Sequence, residues 1–148
     1  MTTSLNTTIP ARDTSTQLIH FIRKRFTIGG IGGLATTVSQ NLGVLPANAA
    51  LVGGAGGVWV TTDLDGTTNT LDVGFSIDSL SASDVNAYAT ALALPLTTGG
   101  FVPFDEIVAA TGVTAKPRSV DTNVIVTFTG TATTGGIDVI MAYVPLNV

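Results

Sequence analysis

Residues 123–144 read NVIVTFTGTATTGGIDVIMAYV, and this stretch decides the fold class. Asn123 to Thr129 and Ile137 to Val144 are rich in Val, Ile, Thr and aromatic residues. Branched and flat side chains of this kind suit a pleated strand better than a helix. Val124, Val126 and Phe128 alternate with Ile125, Thr127 and Thr129, the period of a strand with one buried face. The link from Gly130 to Gly136 is small and polar, so the pair reads as an antiparallel hairpin with a longer loop.

The same texture extends upstream. Leu71, Val73 and Phe75 alternate with Asp72, Gly74 and Ser76, and Val58, Trp59, Val60 and Thr61 form a second strand-like run. Between them Asp63-Leu64-Asp65-Gly66-Thr67 reads as a turn. From Gln17, Leu18, His20, Ile22, Lys24 and Phe26 alternate with Ile19, Phe21, Arg23, Arg25 and Thr27. That is a strand at a surface or interface, basic at its end. Gly29, Gly30, Gly32 and Gly33, and again Gly53, Gly54, Gly56 and Gly57, mark bends, bulges or close backbone approach.

One short helix is expected. Ser83 or Asp84 can cap it, Val85, Tyr88, Ala89 and Leu92 fall on one helical face, and Pro95 ends it. Asp105 to Ala110 reads equally as a short helix or as extended chain. Several short strands and one helix give an all-β, mainly antiparallel chain, a jelly-roll-like sandwich spanning residues 17–148 as one domain. Residues 1–16 are polar, contain Pro10 and lack an apolar period, which predicts a flexible, extended N-terminal arm.

The 148 residues include no cysteine, which removes disulfides and thiolate metal sites. The N-terminal stretch has neither the basic start nor the apolar run of a signal peptide. No stretch approaches the roughly 18 apolar residues of a membrane span, so no membrane partner is expected. Charged residues are 11% of the chain, well below the roughly 25% usual in globular proteins.

The charges are also uneven. Residues 1–62 carry Arg12, Arg23, Lys24 and Arg25 against Asp13; residues 63–148 carry Lys116 and Arg118 against eight Asp and Glu106. A net charge of −4 argues against nucleic acid as a main partner. Arg12, Arg23, Lys24 and Arg25 are expected to favour an acidic docking surface on a partner protein. Phe26 to Thr62 holds no charge between its ends and is expected to be buried or to supply a self-interface through Val58, Trp59 and Val60 or through Leu42 to Leu51.

Signals for chemistry stay incomplete. Gly30-Ile31-Gly32-Gly33-Leu34-Ala35 matches a dinucleotide fingerprint, but the run after it is short, and Asp63 is too distant to meet a ribose. His20 is the one histidine and has no second His or Cys to complete a triad or a zinc site. Asp63, Asp65 and Gly66 resemble the start of a calcium loop without its later ligands. Asp105 and Glu106 are sequence neighbours and do not face each other as an acid–base pair. Trp59 between two valines reads as core or interface before it reads as a sugar platform. No catalytic, cofactor or metal residue is therefore assigned, and no enzyme activity is expected.

The run GVWVTTDLDGTTNTLDVGF from Gly57 to Phe75, Ala89 to Leu94 leading to Gly100-Phe101-Val102-Pro103, and the closing Asp138-Val139-Ile140 and Tyr143-Val144-Pro145 resemble small structural proteins of tailed bacteriophages. Capsid decoration, or cement, proteins are among these, and the resemblance covers about the last two-thirds of the chain. It implies a jelly-roll subunit that trimerises on the outer surface of a virion, bound to the major capsid (shell) protein, with the arm reaching over its neighbours. A tail or fibre component, or a carbohydrate- or receptor-binding module, is the alternative; a module of that kind would carry more aromatics than the 6% present.

Overall fold

The computed structural model describes residues 19–76, 83–105 and 118–145. The strands among them are β1 (His20–Thr27), β2 (Ser39–Leu45), β3 (Ala49–Leu51), β4 (Gly57–Thr62), β5 (Asn69–Phe75), β6 (Asp84–Ala93), β7 (Phe101–Pro103), β8 (Thr122–Gly130) and β9 (Gly136–Pro145). No helix occurs among the described residues. The expected arm, and Asp105 to Ala110 beyond its first residue, lie outside them.

Two sheets form a sandwich. One has the order β1-β9-β4-β7, with β3 also on β9; the other has the order β2-β8-β5-β6. All strand pairs are antiparallel, and they nest along the chain: β5 with β6, β4 with β7, β2 with β8, β1 with β9. The core lies between the sheets. Val58, Val60, Ile137, Val139 and Met141 from one meet Leu71, Val73, Val124, Val126 and Phe128 from the other, all fully buried. Each such aliphatic side chain contributes about 1.5–3 kcal/mol by leaving water. The alternation expected in β8 is present, and in β5 it holds except at Gly74, which is buried against Asp84 and Val85.

Two expectations are corrected. The segment expected to be helical from Asp84 to Leu92 is strand β6. Its register on β5 shifts between Leu71 and Val73 and again between Val73 and Phe75, so β6 carries extra residues against a shorter partner. Ala91 adopts a φ of 46°, and its N–H donates to the side chain of Asp72 on β5, Oδ1 at 2.6 Å, rather than to a backbone carbonyl. These bulges bring Tyr88, Ala89, Leu92 and Leu94 inward at irregular spacing, which imitates a helical face.

The expected hairpin of Val124–Thr129 with Ile137–Val144 is likewise not formed. β8 pairs with β2 and β5, whereas β9 pairs with β1, β3 and β4 in the opposite sheet. The link crosses the sandwich as an arch. Asp65 fixes it by accepting Thr133 N at 2.6 Å, Thr134 N at 2.7 Å and Thr133 Oγ1 at 2.6 Å. Asn69, itself buried, accepts Ala132 N at 2.9 Å. A loop held by the Asp63–Asn69 segment cannot close as a hairpin.

Candidate interaction face

Strand parity sends His20, Ile22, Lys24 and Phe26 of β1 toward the opposite sheet and Phe21, Arg23 and Arg25 outward. Lys24 Nζ donates to the carbonyl of Asn41, on β2, at 2.7 Å and lies 5.0 Å from the ring centre of Phe26. The basic triplet is therefore split between the two faces of the sheet. Arg12 lies outside the described residues.

On the outer face one row crosses four strands in register: Arg25 opposite Asp138, Asp138 opposite Trp59, Trp59 opposite Phe101. Asp138 interrupts a strand that is otherwise apolar, and its side chain is only 3% exposed. Arg23 covers it with hydrogen bonds from Nε, at 3.0 Å, and from Nη2, both to Oδ2. Arg25 Nε donates to Oδ1 at 2.8 Å and Nη2 to Oδ2 at 3.3 Å. The Arg25 hydrogen bonds, with Arg23 adding to them, hold the Asp138 carboxyl below the usual carboxylate range against the opposing effect of burial. The Arg23 and Arg25 side chains nevertheless remain 60% and 65% exposed.

Beside this clamp sit two exposed aromatics. Trp59 is 43% and Phe101 38% exposed, with ring centres 6.2 Å apart and planes tilted by 43°. Gly57 makes room for the second ring, since a Cβ there would meet Phe101 Cζ at 2.8 Å. Phe21, 58% exposed, extends the face on β1. Val58 and Val60, expected in a self-interface, are fully buried inside this chain and offer no surface to another; Trp59 alone of the three faces out. The outer face of the other sheet differs in kind, with Ser39 bonded to Thr127 and with Thr70, Asp72 and Thr129 alongside.

The remaining candidates have structural partners. His20 stacks on Tyr143, across from it in register, with ring centres 5.6 Å apart. Asp63 Oδ1 accepts both Thr98 N and Thr98 Oγ1, at 2.6 and 2.5 Å. Each described aspartate accepts a hydrogen bond within the chain, Asp72 from Ala91, Asp84 from Asn86, Asp105 from Thr90 and Asp121 from Ala47 among them. Glu106 lies outside the described residues. The glycine fingerprint leads into a turn and strand β2; Gly29, Gly30 and Gly32 there have φ near +70°. No group of His, Asp and Glu able to hold a metal occurs among the described residues.

Sequence reasoning missed Asp138 and Phe101 as site residues. A signal for the first was present: a lone carboxylate between Ile137 and Val139 requires a cationic partner once its strand is buried. Phe101 carried no signal, because its place beside Trp59 depends on a pairing of short strands distant in sequence.

No family model matches this chain, and no curated protein is similar to it in sequence. Solved structures do resemble it. A chain in the capsid of Ralstonia phage GP4 is 26% identical, with 87% of this chain and 86% of that one covered at a TM-score of 0.58. A chain in the capsid asymmetric unit of cyanophage Pam1 shares the fold at 18% identity, covering 86% and 85% at a TM-score of 0.50. The structural neighbours of this fold are thus chains of phage capsids, which supports a virion structural role.

Proposed function

We propose that this chain is a non-enzymatic virion structural protein of the decoration or cement type, binding the outer surface of a phage head and stabilising it. The observation that carries the reading is the likeness, along most of both chains, to a chain of the Ralstonia phage GP4 capsid. Its strand order supports a jelly roll. With β3 set aside, the nested pairs β5·β6, β4·β7, β2·β8 and β1·β9 describe one long hairpin rolled into two sheets. The partner is the major shell protein, approached through Arg12, Arg23 and Arg25; Lys24, expected beside them, is tied instead to the carbonyl of Asn41 on the other sheet. A homotrimer is the expected state. Cryo-electron microscopy of heads made with and without this gene product tests the reading. It predicts extra density of one sandwich per site on the outer surface and lower thermal stability of the bare heads; identical maps would reject it.

The exposed Trp59–Phe101 pair favours one second reading, a carbohydrate- or receptor-binding module, because aromatic faces stack on sugar rings. Glycan-array binding abolished by Trp59→Ala, without any association with heads, would select it.

A further inference from the structure

We infer that the chain docks on the shell protein through the outer face of the β1-β9-β4-β7 sheet. There a preset pair of guanidiniums takes a carboxylate of that protein, and Trp59, Phe101 and Phe21 take the apolar side chains around it. The inference rests on the capsid reading above. Two arginines share one buried carboxylate, so the clamp keeps a net positive charge, and each exposed guanidinium, with five N–H donors, has more than its bonds to Asp138 use. An Arg held by a buried acid has lost its rotamer freedom before binding, which lowers the entropy cost of capturing a second acid. Arg and Trp beside exposed Phe is also the composition of the few residues that dominate protein interfaces.

Charge complementarity selects the occupant. Two copies meeting face to face across a two-fold axis near Arg23 and Arg25 would set guanidinium against guanidinium. A different protein carrying an acidic residue among apolar ones satisfies both halves of the face. Lys24 is outside this surface, since it is tied to Asn41 of the other sheet. Asp138 is a positioning residue: it touches the arginines and orients them without meeting the partner.

The test uses the full chain and heads of the encoding phage assembled without it, with bound copies counted by cryo-electron microscopy and affinity measured by titration. Trp59→Ala and the double variant Arg23→Ala/Arg25→Ala are each expected to weaken binding about tenfold or more, and the double variant to flatten its salt dependence. Lys24→Ala should stay within about twofold of wild type. Asp138→Asn should weaken binding more than Gly74→Ala, a core change remote from this face that serves as the control for lost stability. Binding of Trp59→Ala and of the double-arginine variant within about twofold of wild type would overturn this docking face while leaving the capsid reading intact. Wild-type protein that leaves the heads bare would overturn both. Loss of the chain's own oligomer in these variants, read by light scattering, would assign the face to a second copy and overturn the inference.

Discussion

Asp65 accepts Thr133 N, Thr133 Oγ1 and Thr134 N, and the Thr133 and Thr134 hydrogen bonds lower its carboxyl from 3.8 to about 2. Protonation breaks these bonds, so the folded chain takes up the proton less readily than the unfolded one. The stability they contribute is therefore complete above the ordinary value of 3.8 and is lost as pH falls toward about 2. Asp63, lowered by Thr98, acts in the same direction. The expected outcome is that Asp65→Asn lowers the urea midpoint near neutral pH and that its gap from wild type narrows below about pH 3. A gap of the same size at both pH values would contradict the assigned bonds. Asp138 is the more costly carboxylate to lose because it is buried. Asp138→Ala removes charge-assisted hydrogen bonds and is expected to cost about 1.5–3 kcal/mol in urea unfolding. The arginines it leaves behind are exposed and regain water, which keeps the loss below that of a fully buried ion pair.

The facing strands β5 and β6 predict changes of opposite sign. Gly74 sits where β6 crosses closely: a Cβ there would lie 2.0 Å from the Asp84 carbonyl oxygen and 2.3 Å from the Val85 carbonyl carbon. Both are backbone atoms, so Gly74→Ala must displace the strand and is expected to cost about 1–3 kcal/mol, read as a lowered thermal midpoint. Ala91, at a φ of 46°, is in the left-handed region that an L side chain resists. Ala91→Gly should thus raise stability by about 0.5–1 kcal/mol, even though glycine normally weakens a strand. The same bulges explain what was illegible in the sequence. Where β5 and β8 alternate, with Gly74 the exception, their inward faces were readable at Leu71, Val73 and Phe75 and at Val124, Val126 and Phe128. In β6 the extra residues broke the period of two, and Tyr88, Ala89 and Leu92 took on helical spacing. The hairpin expected between β8 and β9 failed for another reason. Strands adjacent in sequence usually pair, and nothing local in Gly130 to Gly136 reveals that Asp65 and Asn69 hold the link across the sandwich. One hint lay in the sequence of β9 itself, where Val139, Ile140, Met141 and Ala142 run apolar without alternation, as on a central strand.

For the whole molecule, the nested pairing makes the first and last described strands depend on each other. β1 pairs with β9 along its entire length, from His20 opposite Tyr143 to Thr27 opposite Gly136. Only the innermost pair, β5 with β6, joins segments adjacent in the chain order, and each outer pair closes a longer loop than the last. The entropy of closing those loops is lost before the non-local contacts form, so a sandwich of this topology folds slowly, in about milliseconds to seconds. Because β9 is central in its sheet, with β1 on one side and β4 on the other, the sheet loses its middle if β9 detaches and an edge if β1 does. The expected result of stopped-flow refolding is one slow exponential phase whose rate responds little to the Arg23–Asp138 and Arg25–Asp138 contacts, which join the last strands to pair. Asp138→Ala should then act mainly by speeding unfolding. A variant that slowed refolding by the full change in stability would place β1 and β9 in the folding nucleus and refute the outward order of assembly.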